Sequence, residues 1–173
     1  MKKTIGVMGR ASGDFSDELI EKARVIGEEI AKNNFILVTG ATTGMSFEST
    51  KGAKHENGMV IGISPWINKD EHLAKNYPIE NFDFILYTGY GHKGRNILNI
   101  RACDAVIIIN GSIGTLNEFT IAYDDGKVIG VLESGGISEK IKEIIQVCNK
   151  KTNAIVIYDS DPKMLIEKII KLI

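Results

Sequence analysis

Residues Ala105-Val106-Ile107-Ile108-Ile109 run directly into Asn110-Gly111-Ser112-Ile113-Gly114-Thr115-Leu116-Asn117-Glu118. The first five are continuously apolar and mostly β-branched, the pattern of a strand buried on both faces of a parallel sheet. Next comes a glycine-rich turn that opens onto a helical pattern over residues 115–124. Strand, glycine turn and helix in immediate succession form the repeating unit of an α/β fold.

The unit recurs in both directions from there. Strands are predicted at Thr4–Met8, Phe35–Thr39, Met59–Ile63, Phe84–Thr88, Asp104–Ile109, Lys127–Leu132 and Ala154–Tyr158. Helices are predicted over 17–32, 45–56, 95–102, 115–124, 137–149 and 162–172. In the first of these, Leu19, Ala23, Ile26 and Ile30 step by four, three and four, which makes one apolar face. Ser16 suits its N-cap, and Asp17 and Glu18 sit where the helix dipole favours anions. Leu165, Ile169 and Leu172 mark the buried side of the last helix, and Pro162 suits its first turn. Residues 64–82, with Pro65, Trp66 and Pro78, read as a long connection with room for one short helix. No internal repeat or linker-like shift in composition interrupts the alternation. The expected architecture is α/β: a single Rossmann-like domain over residues 1–173, with a doubly wound, mostly parallel sheet of about seven strands and helices on both faces.

Composition narrows the function. Apolar residues are 43% and charged residues 25% of the 173, ordinary globular usage that excludes a disordered or fibrous chain. A formal net charge of -1 supplies no basic stripe for a nucleic-acid backbone, so no nucleic-acid partner is expected. No apolar run approaches a membrane span, and the N-terminus turns polar by Gly9, too soon for the core of a leader peptide. Cys103 and Cys148 make no disulfide or metal framework and point to a reducing, cytoplasmic setting. His55, His72 and His92 lack metal-ligand spacing, so no metal site is expected.

The 18 glycines carry the functional argument through their location. Open α/β sheets bind ligands beyond the carboxyl ends of their strands. Four predicted strands end there in glycine-rich loops: Gly9–Gly13, Gly40–Gly44, Gly89–Gly94 and Gly111–Thr115. Glycines in one such loop need do no more than turn a strand into a helix. Four at one edge point to a small phosphorylated ligand, because glycine lets backbone N–H groups approach closely and a helix N-terminus adds unpaired donors. The candidate binding residues are Gly9 and Ser12; Gly40, Thr43, Gly44 and Met45; and Gly111, Ser112, Ile113, Gly114 and Thr115. The third loop matches G-x-G-x-x-G, but the residue ending the next strand is Asn110, not the acid a dinucleotide ribose requires, so the match reads as chance. His92 and Lys93 in that loop read as solvated, Trp66 in the 64–82 connection as a core anchor and Cys103, at the start of a buried strand, as an inert small hydrophobe. Glu118 lies one turn into its helix, and Arg95 sits at the start of the preceding one. Spacing alone leaves two readings of that pair open, a structural ion pair or groups that orient a sugar or phosphate.

Three motifs together resemble a known superfamily: Arg95-Asn96, Arg101-Ala102-Cys103-Asp104-Ala105, and Gly111-Ser112-Ile113-Gly114-Thr115-Leu116-Asn117-Glu118. They are similar to the Arg-Lys pair, the Ser-Asp-Ala strand start and the P-G-G-x-G-T-x-x-E motif of the LONELY GUY or "possible lysine decarboxylase" type of Rossmann protein. Gly40–Met45, Gly52-Ala53 and Gly58–Ile63 extend the resemblance, while Gly126–Ile129 and Ser134–Gly136 look most like the molybdenum-cofactor carrier branch. In the hydrolase branch the resemblance implies Arg95 and Glu118 as catalytic residues that cleave the N-glycosidic bond of a nucleoside 5′-monophosphate, with phosphate held by Gly111, Gly114 and Thr115. In the carrier branch it implies a protein without chemistry, whose cargo is a phosphorylated pterin, the molybdenum cofactor. Either way no cofactor is required, and a homodimer or larger assembly is implied, with the helix bearing Glu118 near the interface. Asn110, Ser112 and Asn96 depart from the superfamily's proline, second glycine and lysine.

Overall fold

The computed structural model describes all residues, Met1–Ile173. Seven strands, β1 (Thr4–Gly9), β2 (Ile36–Thr39), β3 (Val60–Ser64), β4 (Phe84–Tyr87), β5 (Ala105–Ile109), β6 (Val128–Leu132) and β7 (Ile155–Asp159), form one sheet in the order β4-β3-β2-β1-β5-β6-β7. Every neighbouring pair is parallel. Strand order reverses between β1 and β5, where Gly9 pairs with Ile109. That reversal is the switch point at which such sheets open a crevice.

The apolar run of β5 explains itself in this sheet. Ala105, Ile107 and Ile109 enter one core with Ile5, Val7, Leu37 and residues of the helices on that face. Val106 and Ile108 enter the other core with Met8, Ile100, Phe119 and Ile129. Side chains alternate along a strand with period two, so a strand covered on both faces must be apolar at every position.

Helices α1 (Asp17–Lys32), α2 (Met45–His55), α3 (Lys69–Ala74), α4 (Gly91–Arg101), α5 (Ile113–Asp124) and α6 (Ile141–Cys148) make the crossovers, and α7 (Pro162–Ile170) follows the last strand. Ser16 caps α1, its side chain accepting from the Leu19 N–H at 3.2 Å, and Pro162 opens α7. Helices α1 and α2 touch through glycines: a Cβ on Gly27 would lie 1.8 Å from the Ser49 carbonyl oxygen, and one on Gly52 2.0 Å from that of Arg24.

Predicted strand boundaries hold to within one residue at each end. Two helical predictions need correction. Helix α4 starts at Gly91, so Gly91–Gly94 form its first turn, not a loop. The stretch predicted as one helix over 137–149 is a 3-10 turn, Gly136–Lys140, leading into α6. The connection 64–82 does hold a short helix, α3, capped by Asn68 accepting from the Glu71 N–H. No helix is long and apolar enough to cross a membrane.

Candidate functional site

A cleft of about 320 Å³ opens over the switch point. Its size is at the low end of small-ligand sites, roughly 300–1,000 Å³. Of the residues expected from sequence, Gly9 and Gly40 line it from β1 and β2, and Ser112, Ile113, Gly114 and Thr115 from the start of α5. Arg95 and Glu118 stand at its floor, each more than nine-tenths buried.

Arg95 and Glu118 form an ion pair, Nη1 to Oε1 at 2.9 Å. Two further hydrogen bonds hold the guanidinium. Nη1 also donates to Asn96 Oδ1 at 2.7 Å, Nη2 donates to the Gly40 carbonyl at 3.2 Å, and Nε is buried without a partner. A Cβ on Gly40 would lie 2.1 Å from Arg95 Nη2. The glycine at the end of β2 therefore exists to admit the guanidinium. Asn96 in turn donates to Asn117 Oδ1 at 2.8 Å, so the residue in place of the superfamily's lysine is a buried spacer and adds no cation to the cleft.

Glu118 Oε1 also accepts from Asn99 Nδ2 at 3.3 Å, while Oε2 has no protein donor. Burial pushes the Glu118 carboxyl above the ordinary carboxylate range, against the pull of Arg95 and Asn99. Asn99 was not anticipated from sequence. It sits one turn beyond Arg95 on α4, fully buried, and its carbonyl accepts from the Cys103 thiol at 3.0 Å. Burial pushes that thiol up to about 12, so Cys103 is the inert small hydrophobe expected.

The two glycine loops that open helices differ in what they offer. At α2 the Met45 N–H donates to the Arg10 carbonyl at 3.0 Å, and the Thr43 hydroxyl donates to the Ala11 carbonyl at 2.7 Å. Gly44, at φ 79°, lies so close to Arg10 and Ala11 that any Cβ would strike their backbone. Gly44, Met45 and Thr43 thus bind the first loop to the second and do not line the cleft; Thr42 and Ser46 line it instead. Ser12 is exposed outside the cleft, and Gly111, at φ 95°, packs under Thr115 and Ile137. At α5 no side chain caps the helix. Its first-turn N–H groups face the cleft beside Gly114, where a Cβ would meet nothing within 4 Å. An uncapped helix start of this kind can serve as a cradle for an anion.

Asn110 precedes that cradle at φ 55°, a conformation closed to proline. Its N–H donates to Ser134 Oγ and its Nδ2 to the Ser134 carbonyl, both at 2.9 Å, tying the cradle to the loop after β6. His92 and Lys93 are exposed, as expected, and border the mouth of the cleft from the first turn of α4. Burial, with Arg95 and Lys93 nearby, holds the His92 imidazole below its usual value. Tyr77 joins them from the 64–82 connection.

Residues 2–166 match the model of the SLOG cluster4 family. The chain belongs to that family. A protein of Archaeoglobus fulgidus described only as uncharacterized is 31% identical over 150 residues, which is 83% of this chain and 93% of its relative. Among solved structures, the molybdenum cofactor binding protein of Rippkaea orientalis superposes with a TM-score of 0.83 at 28% identity, covering 99% of this chain and 98% of that one. The molybdenum cofactor carrier protein of Chlamydomonas reinhardtii gives a TM-score of 0.79 at 25% identity, again covering 99% and 98%. These neighbours agree with the superfamily and the carrier branch that the motifs around Arg95, Gly111 and Gly135 resemble.

Proposed function

We propose that this SLOG cluster4 protein is a carrier that holds a phosphorylated pterin, the molybdenum cofactor, in the cleft over β1 and β5. One observation carries the reading: the uncapped N-terminus of α5 at Ser112–Thr115 is the free anion cradle, whereas the Arg95 fork is spent on Glu118, Asn96 and Gly40. The site is thereby equipped to grip a phosphate with backbone donors, while its buried guanidinium is already committed to protein partners. The cofactor is cargo, and the chain's likeness to the Rippkaea and Chlamydomonas proteins supports the assignment.

The test is direct. Cofactor released anaerobically from a molybdoenzyme is mixed with the protein, which is then desalted and its molybdenum measured. About one equivalent per chain is expected. Gly114→Asp should abolish retention while leaving the fold intact, since position 114 has open space and an acid suits the first turn of a helix. Molybdenum eluting only with small molecules from the wild type refutes the carrier reading.

A second reading rests on Glu118, whose carboxyl is raised by burial and keeps Oε2 free. Placed beneath a ribose, it could stabilise oxocarbenium charge and activate water, cleaving a nucleoside 5′-monophosphate to base and ribose 5-phosphate, with Arg95 orienting it. Chromatography of base release from a nucleotide panel, beside Glu118→Gln, separates the readings: release lost in the variant establishes the hydrolase. For both we propose a homodimer at least, checked by light scattering across a concentration series.

A further inference from the structure

We infer that Tyr77 and His92 form the ring-recognition end of the cleft, stacking on the flat heteroaromatic ring of the ligand whose phosphate lies on α5. The inference deepens the binding reading above and rests on it.

The order of the strands sets the direction. Tyr77 comes from the connection after β3 and His92 from the helix after β4, whereas the anion cradle follows β5. From β3 to β5 the sheet steps through β2 and β1. Three inter-strand spacings make roughly 14 Å. A phosphate seated on α5 therefore leaves the far end of an extended ligand beside Tyr77 and His92, with its middle over Arg95 and Glu118.

That end is built of rings. Trp66 stacks on Tyr77 with centroids 6.1 Å apart and an interplanar angle of 26°. His92 stands edge-on to both, 5.6 Å from Trp66 and 6.1 Å from Tyr77. Tyr77 is held in place from behind by His72, which is completely buried. His72 Nε2 donates to the Pro78 carbonyl at 3.0 Å, and its Nδ1 meets the Ser64 hydroxyl at 2.9 Å. Ser64 Oγ already accepts from the Trp66 N–H, so its hydrogen is directed to His72. Tyr77 N–H donates to the His72 carbonyl as well. The imidazole thus pins an otherwise irregular segment at the residue that lines the cleft. Flat, preordered faces with few rotors to freeze favour stacking on a pterin or purine.

Trp66 is the single tryptophan, and it touches both rings, so its fluorescence reports occupancy. Titrations use GMP and a pterin phosphate as ring-bearing probes and ribose 5-phosphate as the ringless one, against wild type, Tyr77→Phe and Tyr77→Leu. The ring-bearing probes should perturb Trp66 emission, and ribose 5-phosphate should bind without doing so. Tyr77→Leu should weaken the ring-bearing probes roughly ten- to a hundred-fold. It should leave ribose 5-phosphate unchanged, and Tyr77→Phe should restore the wild-type values. Equal weakening of all three probes, or none, overturns the ring assignment while the cradle stands. If no probe binds the wild type, the binding reading and this inference fall together.

Discussion

Gly40→Ala is the sharpest probe of the site, because its effect should run entirely through another residue. Gly40 is not in the left-handed region, so alanine meets no backbone strain there. Its added Cβ would lie 2.1 Å from Arg95 Nη2 and 2.5 Å from Cζ, well inside contact. The guanidinium must retreat, losing the 3.2 Å bond to the Gly40 carbonyl and loosening the 2.9 Å bridge to Glu118. Overpacking alone costs about 1–3 kcal/mol, and a buried carboxylate left without its partner costs more, about 3–5 kcal/mol when the pair is fully broken. Because Arg95 can withdraw only partly, a loss of about 2–3 kcal/mol is the reasoned middle. In a domain of this length that lowers Tm by roughly 4–12 °C. The assay is a double-mutant cycle by urea unfolding over wild type, Gly40→Ala, Arg95→Ala and the double variant. With Arg95 truncated, the alanine at 40 has empty space to fill, so its cost should drop to within about 0.5 kcal/mol of zero. An equal cost of Gly40→Ala in both backgrounds would refute the claim that Gly40 exists to admit Arg95.

Other outcomes follow from the same geometry. Because burial raises the folded pKa of Glu118 above its unfolded value, the wild type should gain stability relative to Glu118→Gln as pH falls from neutral toward 4.5. Urea midpoints at stepped pH check this, and a gap that narrows on acidification reverses the sign. Asn110→Ala should cost about 1 kcal/mol more than Asn110→Gly, since both lose the Ser134 bonds of the side chain but only glycine accepts φ 55° freely; thermal denaturation measures the difference. Native thiol titration should find one reactive cysteine, the exposed Cys148, and a second only in denaturant when Cys103 is released. Gly27→Ala should cost several kcal/mol by driving α1 off α2, and circular dichroism melts would show it, whereas a melt within a degree of wild type would contradict the close helix contact.

The sheet was legible because its signal is redundant. Each strand carries its own apolar run and its own following turn, so an error at one end does not propagate. Helix α4 was harder. Gly91 and Gly94 are poor helix formers, and propensity alone starts the helix at Arg95. Tertiary contact overrides propensity here, since the Gly91 N–H reaches the Pro65 carbonyl and anchors the first turn. That displacement of four residues puts His92 and Lys93 on the first turn of a helix, still exposed but bordering the cleft. Gly27 and Gly52 were equally invisible in their role, because a glycine in a helix reads as a weakness until the neighbouring helix is seen resting on it.

At the site itself, sequence found the partners and misjudged their division of labour. Gly40, Gly44 and Gly111 were all read as room for a phosphate, yet each makes room for protein: the Arg95 guanidinium, the Arg10–Ala11 backbone, and Thr115 with Ile137. Gly114, by contrast, has open space around it, and it lies in a helix start that no side chain caps. A glycine that shelters a neighbour and a glycine that admits a ligand look identical in a sequence, because both answer the same demand for a missing Cβ. What separates them is whether anything of the protein already fills the space. By that measure the four loops have different jobs. The first two knit together, the third begins a helix that sets His92 at the mouth of the cleft, and the fourth opens a helix whose start no side chain caps.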